Sequence, residues 1–255
     1  MNDRKHRRKL GQNYLIDPVI LFEMERSINP QENNFFFEIG PGTGALTEYL
    51  RGEKIKIIAM DLDLQNIHKL EKKFLHPNHE FIHGDVLNES LDFLSHGKYR
   101  LAGNLPYNIS TQIIMKLIKF YENIHDMHFL VQREVALRIC ALNGSRDWGR
   151  LGIKIGAFFQ SSILFEVPPE AFDIKPKVQS AFIRLIPHSR PKIELGQLKD
   201  FSSFVDQAFS NKRKNIKNNV KKLDLDLDAL KINPLARPEE LPLEDFITMF
   251  KSMNN

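Results

Sequence analysis

Cysteine and long apolar runs are scarce in this chain of 255 residues, and each scarcity excludes a class of protein. The single cysteine, Cys140, excludes an internal disulfide and a zinc site built on several cysteines. The nine histidines lack the spacing of a metal-binding motif, so we expect no metal. No apolar stretch approaches the roughly 18 residues that a membrane-spanning helix needs. The basic N-terminus has no apolar stretch after it and does not indicate a secretory signal. We therefore expect a cytoplasmic protein.

Basic residues are concentrated in two short segments, although the net charge is only +4. These segments are residues 1–9 and 211–222, and outside them the chain has 25 basic and 31 acidic residues. Clustered Lys and Arg side chains are typical of surfaces that neutralise phosphates. The alternative is a solvated tail and a solvated helix face. The clusters predict these nucleic-acid-binding residues: Arg4, Lys5, Arg7, Arg8, Lys9, Lys212, Arg213, Lys214, Lys217, Lys221 and Lys222.

Apolar strand patterns alternate with helical patterns over the first three quarters of the chain, which predicts an α/β fold with a doubly wound, mostly parallel sheet. Strands are predicted at 34–39, 54–60, 80–83, 99–102 and 127–132, and two further strands at 163–167 and 178–186 are expected to pair antiparallel. The apolar segment 153–159 is predicted to be helical. Residues 188–255 show no strand pattern. The sequence thus predicts a catalytic domain over 1–187, with a basic arm at 1–12, and a small all-helical, RNA-binding domain over 188–255.

A glycine-rich turn follows the first predicted strand, in the sequence Glu38-Ile-Gly-Pro-Gly-Thr-Gly44. Glycines allow a sharp turn and close approach of a ligand, and this position in a doubly wound sheet is typical of adenosine-containing cofactors. A dinucleotide is disfavoured, because Pro41 removes an N–H donor and Glu38 places a negative charge near the phosphates. The cationic S-adenosylmethionine suits the turn better. Glu38, Gly40, Gly42 and Gly44 are therefore candidate cofactor residues.

Acidic residues end the next two predicted strands. Asp61 lies 21 positions after Gly40, where a carboxylate can accept hydrogen bonds from ribose hydroxyls. Asp85 ends the third strand and is placed to meet the edge of an adenine ring. The two acids strengthen the interpretation of the glycine turn as a cofactor site.

The segment Asn104-Leu105-Pro106-Tyr107 follows the fourth predicted strand. An aromatic amine such as adenine N6 is a poor nucleophile, and its methylation needs acceptors that hold its N–H groups as charge develops on nitrogen. The Asn104 carboxamide and the Leu105 carbonyl can supply them. Pro106 fixes the turn, and Tyr107 offers a ring face to an extruded base. These residues are the predicted catalytic segment.

Taken in order along the chain, these motifs resemble the family of small-subunit (16S-type) rRNA adenine N6,N6-dimethyltransferases, the kasugamycin-sensitivity dimethyladenosine transferases. The resemblance extends from about Arg7 to about Leu223. It rests on Gly11–Leu15, Glu38–Gly44, Gly84-Asp85, Asn104–Tyr107, Val167–Phe172, Pro176–Val178 with Ser180, and Ala208-Phe209 with Lys212–Lys214.

The resemblance implies a class I S-adenosylmethionine-dependent methyltransferase fold, which is Rossmann-like. It implies that cofactor contacts come from Asn13, Leu15, Gly40, Asp61, Asp85 and Asn104, with Gln12 as a further candidate nearby. It also implies that Asn104, Tyr107 and Phe172 handle the flipped adenine. The implied substrate is a pair of adjacent adenosines near the 3′ end of small-subunit rRNA, each methylated twice, within the 30S subunit or its precursor during ribosome biogenesis. We expect a monomer that acts away from membranes.

Three positions depart from the pattern of this family. Tyr14 replaces the usual Phe, a change expected to be harmless, and Asp61 replaces a usual Glu, which predicts a weaker or water-bridged ribose contact. Ile174 stands where Pro is common, in the loop behind Phe172.

Several alternatives stay open at this point. Phe172 is a core residue in one interpretation and a base-stacking residue in the other. The chain is alternatively a large-subunit rRNA adenine methyltransferase of the macrolide-resistance type, although that group usually has Ile where this chain has Leu105. It is also alternatively a non-enzymatic ribosome assembly or nucleic-acid-binding factor on the same fold.

Overall fold

A seven-stranded sheet is formed by the residues that the computed structural model describes, 13–211 and 213–253. Its strands are β1 Phe35–Ile39, β2 Lys56–Asp61, β3 His79–His83, β4 Tyr99–Asn104, β5 Ile124–Gln132, β6 Phe159–Val167 and β7 Ser180–Pro187. Their order across the sheet is β3-β2-β1-β4-β5-β7-β6. All the predicted strands are present, with ends shifted by up to four residues.

The first five strands are parallel, which brings their carboxyl ends to one edge of the sheet. β1 lies between β2 and β4, β3 pairs with β2, and β5 pairs with β4, each in parallel. β7 runs antiparallel to β5. The doubly wound, mostly parallel sheet is thereby confirmed, and ligands of such sheets bind beyond the carboxyl ends of the strands.

The helices are α1 Pro18–Ile28, α2 Thr47–Leu50, α3 Leu64–Lys73, α4 Ser110–Leu117, α5 Arg133–Cys140, α6 Arg150–Gly156, α7 Leu198–Ala208, α8 Ile216–Asn219 and α9 Leu243–Ser252. Local capping explains where two of them begin. The Asp17 carboxylate accepts hydrogen bonds from the N–H groups at the start of α1, and Asp63 does the same for α3. None of the helices in the described ranges has the length and apolar character needed to cross a bilayer.

Burial of apolar side chains holds the helices against the sheet. Phe36 and Phe37 of β1 are almost fully buried, and Met24 and Ile28 of α1 pack in the same core as Phe36. Each large side chain of this kind contributes on the order of 2 kcal/mol when removed from water. The strand ends, and the loops that follow them, are thus held on a well-packed base.

The chain divides into two compact units, one of residues 13–136 and 162–186 and the other of residues 137–161 and 187–253. Residues 188–253 contain helices and turns but no strand in their described part. The second unit is not the continuous 188–255 domain that the sequence predicts, because it also includes 137–161. The Trp148 indole N–H donates to the Leu241 carbonyl (2.9 Å), and Arg150 donates to the Phe209 carbonyl (2.6 Å). These hydrogen bonds explain why the earlier segment belongs with the later helices.

The apolar segment 153–159 is not helical throughout. Helix α6 ends at Gly156, and strand β6 starts at Phe159. Nearly every side chain of this segment is buried, in its helical part and in its strand part alike. No polar position in the sequence therefore marks where the helix ends and the strand begins.

Candidate active site

A cavity lies at the carboxyl ends of β1, β2, β3 and β4. The structure brings most of the predicted site residues to its wall: Asn13, Gly40, Gly42, Asp61, Asp85, Asn104, Leu105, Pro106 and Tyr107.

The glycine turn after β1 has the backbone conformation that glycine favours. Gly40 has φ +67° and Gly42 has φ +57°, both in the left-handed region. A Cβ atom at Gly42 would come within 2.9 Å of the Tyr14 ring. The Gly42 N–H donates a hydrogen bond of 2.9 Å to the Asp61 Oδ2. The turn after β1 is therefore tied directly to the acid that ends β2.

Two buried carboxyl groups give this part of the site its electrostatic character. Glu38 and Asp61 are 1% and 3% exposed. Burial raises the pKa of Glu38 to about 7, a hydrogen bond from the Thr47 hydroxyl (2.7 Å) opposes the rise, and the charge of Asp61 adds to it. Burial also raises the pKa of Asp61, against the hydrogen bonds that it accepts from the N–H groups of Asp63 and Gly42. Such a pair favours a cation, because a positive charge offsets the cost of ionising both groups.

Asp85 is held by a local turn and by the loop around it. Its carboxylate accepts hydrogen bonds from the Leu87 N–H (2.9 Å) and the Asn88 side chain (2.7 Å). The Lys116 ammonium of α4 donates to the carbonyls of Leu87 (3.0 Å) and Glu89 (2.7 Å). Lys116 thereby joins the loop that carries Asp85 to the helix that follows the Asn104–Tyr107 segment.

Two oxygen acceptors at the end of β4 have no hydrogen-bond donor among the described residues. The Asn104 Nδ2 donates 2.7 Å to the Asn13 carbonyl, which leaves the carboxamide oxygen Oδ1 available. The Leu105 N–H donates to the Leu130 carbonyl (3.0 Å), and within the described ranges no group donates to the Leu105 carbonyl. Both residues line the cavity. The site therefore offers two neutral acceptors on consecutive residues.

Tyr107 is positioned by the antiparallel end of the sheet. Its hydroxyl hydrogen-bonds the hydroxyl of Ser180, a fully buried residue at the start of β7. Burial raises the pKa of the Tyr107 phenol, and the hydrogen bond to Ser180 opposes the rise. The ring is thus neutral at physiological pH and held at a wall of the cavity.

Leu15 and Glu38 line a second, smaller cavity that shares Gly40 and Asn104 with the first. Gly44 lines neither cavity. It lies under α3, where a Cβ atom would come within 2.5 Å of the Phe74 ring, so its role here is close packing.

The structure does not bring Phe172 into the cavity. Phe172 is 2% exposed, forms an isolated β-bridge with Leu15, and belongs to the apolar core that includes Val167, Ala171 and Phe182. The expectation that its ring face meets a flipped base is corrected here to a core position. Its neighbours in the core are apolar, and burial of the ring among them stabilises this position.

The predicted basic residues are only partly within the described ranges. The five in the N-terminal segment and Lys212 lie outside them, as does the cofactor candidate Gln12. The remaining five are exposed, and none of them forms an ion pair with another described residue: Arg213, Lys214, Lys217, Lys221 and Lys222. Ile216 and Val220 anchor the same segment by burial, so the basic side chains extend from a fixed backbone.

Several residues of the cavity wall were not predicted. Leu62 and Val86 each follow a predicted acid by one position. Their place directly after a predicted strand end could have identified them as cavity residues. Tyr14 lines the cavity, and its partner Asn66 on α3 is 2% exposed. Among the described residues, no group of three His, Cys, Asp or Glu side chains is arranged to hold a metal ion.

Comparison with known proteins places this geometry in a family. Residues 3–255 match the family model described as ribosomal RNA adenine dimethylase. A ribosomal RNA small subunit methyltransferase A of Neisseria meningitidis serogroup B is 39% identical over 98% of this chain and 96% of that protein. The protein of the same name from Dechloromonas aromatica is 40% identical over 94% of this chain and 95% of its own length.

Solved structures show the same fold. A dimethyladenosine transferase from Plasmodium falciparum superposes with a TM-score of 0.83 at 24% identity, covering 94% of this chain and 97% of that one. The 23S rRNA methyltransferase ErmE superposes with a TM-score of 0.73 at 22% identity, covering 95% of this chain and all of that one. These two likenesses concern the fold alone. The family match over nearly the whole chain, together with the close relatives, shows that the chain belongs to the ribosomal RNA adenine dimethylase family.

Proposed function

We propose that this chain, an S-adenosylmethionine-dependent rRNA adenine dimethyltransferase by its family, methylates N6 of two adjacent adenosines near the 3′ end of small-subunit rRNA. The observation that carries the proposal is the pair of neutral acceptors, Asn104 Oδ1 and the Leu105 carbonyl, at the wall of the cavity. An exocyclic NH₂ group presents two N–H donors, which two such acceptors match.

The residues present fit S-adenosylmethionine. Asp61 ends β2 and Asp85 follows the neighbouring β3 at the cavity, where they can accept hydrogen bonds from ribose hydroxyls and from the adenine edge. Leu62 and Val86 supply apolar wall beside them. The buried Glu38 gives the neighbouring cavity an acid that favours a cationic end. When bound, the cofactor supplies an electrophilic methyl group on a sulfonium and becomes a neutral thioether after transfer.

The acceptors act on the base as it becomes a nucleophile. In adenine the N6 lone pair is delocalised into the ring, and Asn104 Oδ1 and the Leu105 carbonyl hold the N–H groups more strongly as nitrogen gains positive charge. Neither acceptor is charged, so neither traps the sulfonium in an ion pair. Neither is basic enough to keep the proton that N6 releases, which passes to water. A monomethylated base presents one N–H, so a single acceptor suffices for the second transfer.

Tyr107 provides the aromatic wall on which the extruded base stacks. Its hydroxyl is occupied by Ser180, which leaves the ring as the available surface. We assign the base-binding role to Tyr107, Asn104 and Leu105, and not to Phe172, whose ring lies in the core.

The basic clusters support a ribosomal substrate. Arg213, Lys214, Lys217, Lys221 and Lys222 are exposed, and their charges are not neutralised by described acids. Phosphate contacts of this kind position a protein on RNA without reading its sequence. We propose that these residues, with the basic residues of 1–9, hold the rRNA within the small subunit or its precursor.

Label transfer tests the proposal. Radiolabelled S-adenosylmethionine is incubated with the protein and with separately purified small and large ribosomal subunits that lack the modification. We expect label in N6,N6-dimethyladenosine of the small-subunit rRNA. Label confined to the large subunit would instead support the macrolide-resistance type of activity, and no label in either would support a non-enzymatic binding factor.

A further inference from the structure

Tyr14 occupies a junction between the cofactor and catalytic parts of the cavity. It lines the cavity beside Asn13 and Gly42, and its ring packs on the glycine turn closely enough to exclude a Cβ atom at Gly42. A phenylalanine ring would fill the same space. The hydroxyl is therefore the part of Tyr14 that packing does not require.

That hydroxyl connects to the acid that ends β2. The Tyr14 hydroxyl and the Asn66 carboxamide exchange hydrogen bonds, at 3.2 Å to Oδ1 and 3.0 Å from Nδ2. Asn66 Nδ2 also lies 3.3 Å from the Asp61 Oδ2, the atom that accepts from the Gly42 N–H. Asn66 and Asp61 are both buried, so the orientation of the carboxamide depends on these partners. Tyr14 and Asp61, two positions that depart from the family pattern, are thus joined through one side chain.

The main chain at Tyr14 connects to the catalytic amide. The Tyr14 N–H donates to the Asp173 carboxylate (3.1 Å), and the Asp173 N–H donates to the Tyr14 carbonyl (3.0 Å). The preceding carbonyl, that of Asn13, accepts the hydrogen bond that orients the Asn104 carboxamide. A displacement of Tyr14 therefore moves the group that turns Asn104 Oδ1 toward the substrate.

We propose that Tyr14 is a positioning residue: its hydroxyl acts through Asn66 to hold Asp61 for the cofactor, and its main chain fixes the adjoining Asn13 carbonyl, which holds Asn104 for the base. This inference rests on the proposed function, because it gives Asp61 and Asn104 the roles assigned above. It makes cofactor affinity depend on a hydroxyl that acts on Asp61 through the Asn66 side chain.

The variant Tyr14→Phe removes the hydroxyl and keeps the ring. Affinity for S-adenosylhomocysteine is measured by calorimetry, and kcat is measured at saturating S-adenosylmethionine with small subunits as substrate. Loss of a net hydrogen bond predicts affinity about five- to tenfold weaker. Because the main chain at Tyr14 stays bonded to Asp173, kcat at saturating cofactor should change little, and the urea midpoint of the ligand-free protein should also be nearly unchanged. Tyr121→Phe, which removes a hydroxyl bonded to Glu122 outside the cavity, should change neither quantity.

A double-mutant cycle with Asn66→Ala tests the route. If the hydroxyl acts through Asn66, Tyr14→Phe should have little further effect on affinity in the Asn66→Ala background. Asn66→Ser serves if the alanine variant does not fold. Unchanged affinity in Tyr14→Phe, or effects on affinity that simply multiply in the double variant, would overturn the inference. Failure of the unmodified protein to bind S-adenosylhomocysteine would instead count against the proposed function.

Discussion

The Nδ2 group of Asn104 donates a hydrogen bond of 2.7 Å to the main-chain carbonyl of Asn13, a residue 91 positions earlier in the sequence. This hydrogen bond assigns the two ends of the carboxamide, because only the nitrogen can donate. It presents Oδ1 as an acceptor at the cavity. The Asn104 carboxamide is thus oriented by a segment that precedes the first strand.

Replacement of Asn104 by alanine should slow methyl transfer strongly while leaving the cofactor site largely in place. Loss of an acceptor for the developing charge on N6 predicts a kcat lower by about 10²–10³-fold. Initial rates of label transfer measure the effect, and calorimetry with S-adenosylhomocysteine checks that the site is intact. Asn108→Ala, an exposed amide outside the cavity wall, is the matched control and should retain full activity. Near-normal turnover in Asn104→Ala would contradict the assigned role.

The Tyr107–Ser180 hydrogen bond makes a separate prediction about the base. Ser180→Ala should lower kcat/KM for the RNA about fivefold, because the loss of one hydrogen bond frees the ring to reorient. Affinity for S-adenosylhomocysteine should not change. Ser161→Ala removes a comparable hydroxyl, which is bonded to the Ile139 carbonyl, and should leave kcat/KM unaltered.

Tyr107→Phe should add little in the Ser180→Ala background, because both changes remove the same hydrogen bond. Independent effects of the two substitutions would mean that the hydroxyls act separately.

The positions of the proposed cofactor and catalytic segments were predictable because parallel strands end at one edge of the sheet. Asp61, Asp85 and Asn104 each end or follow a strand whose apolar pattern is evident in the sequence. Alternation of strands and helices was then enough to bring them together.

Interactions between distant segments were not predictable in this way. Nothing in the local sequence indicates that Ser180 reaches Tyr107 or that Asn66 reaches Tyr14, since both depend on how elements pack. Phe172 was ambiguous for a related reason. An aromatic residue in a proline-flanked loop is compatible with a core position or with a ligand-facing one, and only the surrounding side chains distinguish the two.

The buried Glu38 should make the stability of the ligand-free protein depend on pH. Its pKa is raised from 4.5 to about 7 by burial, so folding favours the protonated form. The stabilising contribution is complete below pH 4.5 and is lost as the pH rises through 7. The loss amounts to about 3 kcal/mol at most.

Urea unfolding of the wild type and Glu38→Gln between pH 5 and pH 8 measures this dependence. The glutamine variant should lose less stability than the wild type over that range. Glu53→Gln, at an exposed position, should follow the wild-type curve. Parallel curves for the wild type and Glu38→Gln would show that Glu38 is ionised without cost in the folded chain.

The basic cluster of the second unit should determine how strongly salt weakens binding to the small subunit. Replacing Arg213, Lys214 and Lys217 by Gln removes exposed cations that form no ion pair with described residues. Each rRNA phosphate that the variant fails to neutralise should reduce the slope of log affinity against log salt by about 0.7–0.9. Filter binding across a salt series measures it. The control changes exposed lysines elsewhere to Gln, at Lys72, Lys119 and Lys251, and should leave the slope unchanged. A protein that neutralises fewer phosphates must release fewer counterions. Equal slopes for the cluster variant and the wild type would therefore show that these side chains are an ordinary solvated surface and do not contact rRNA phosphates.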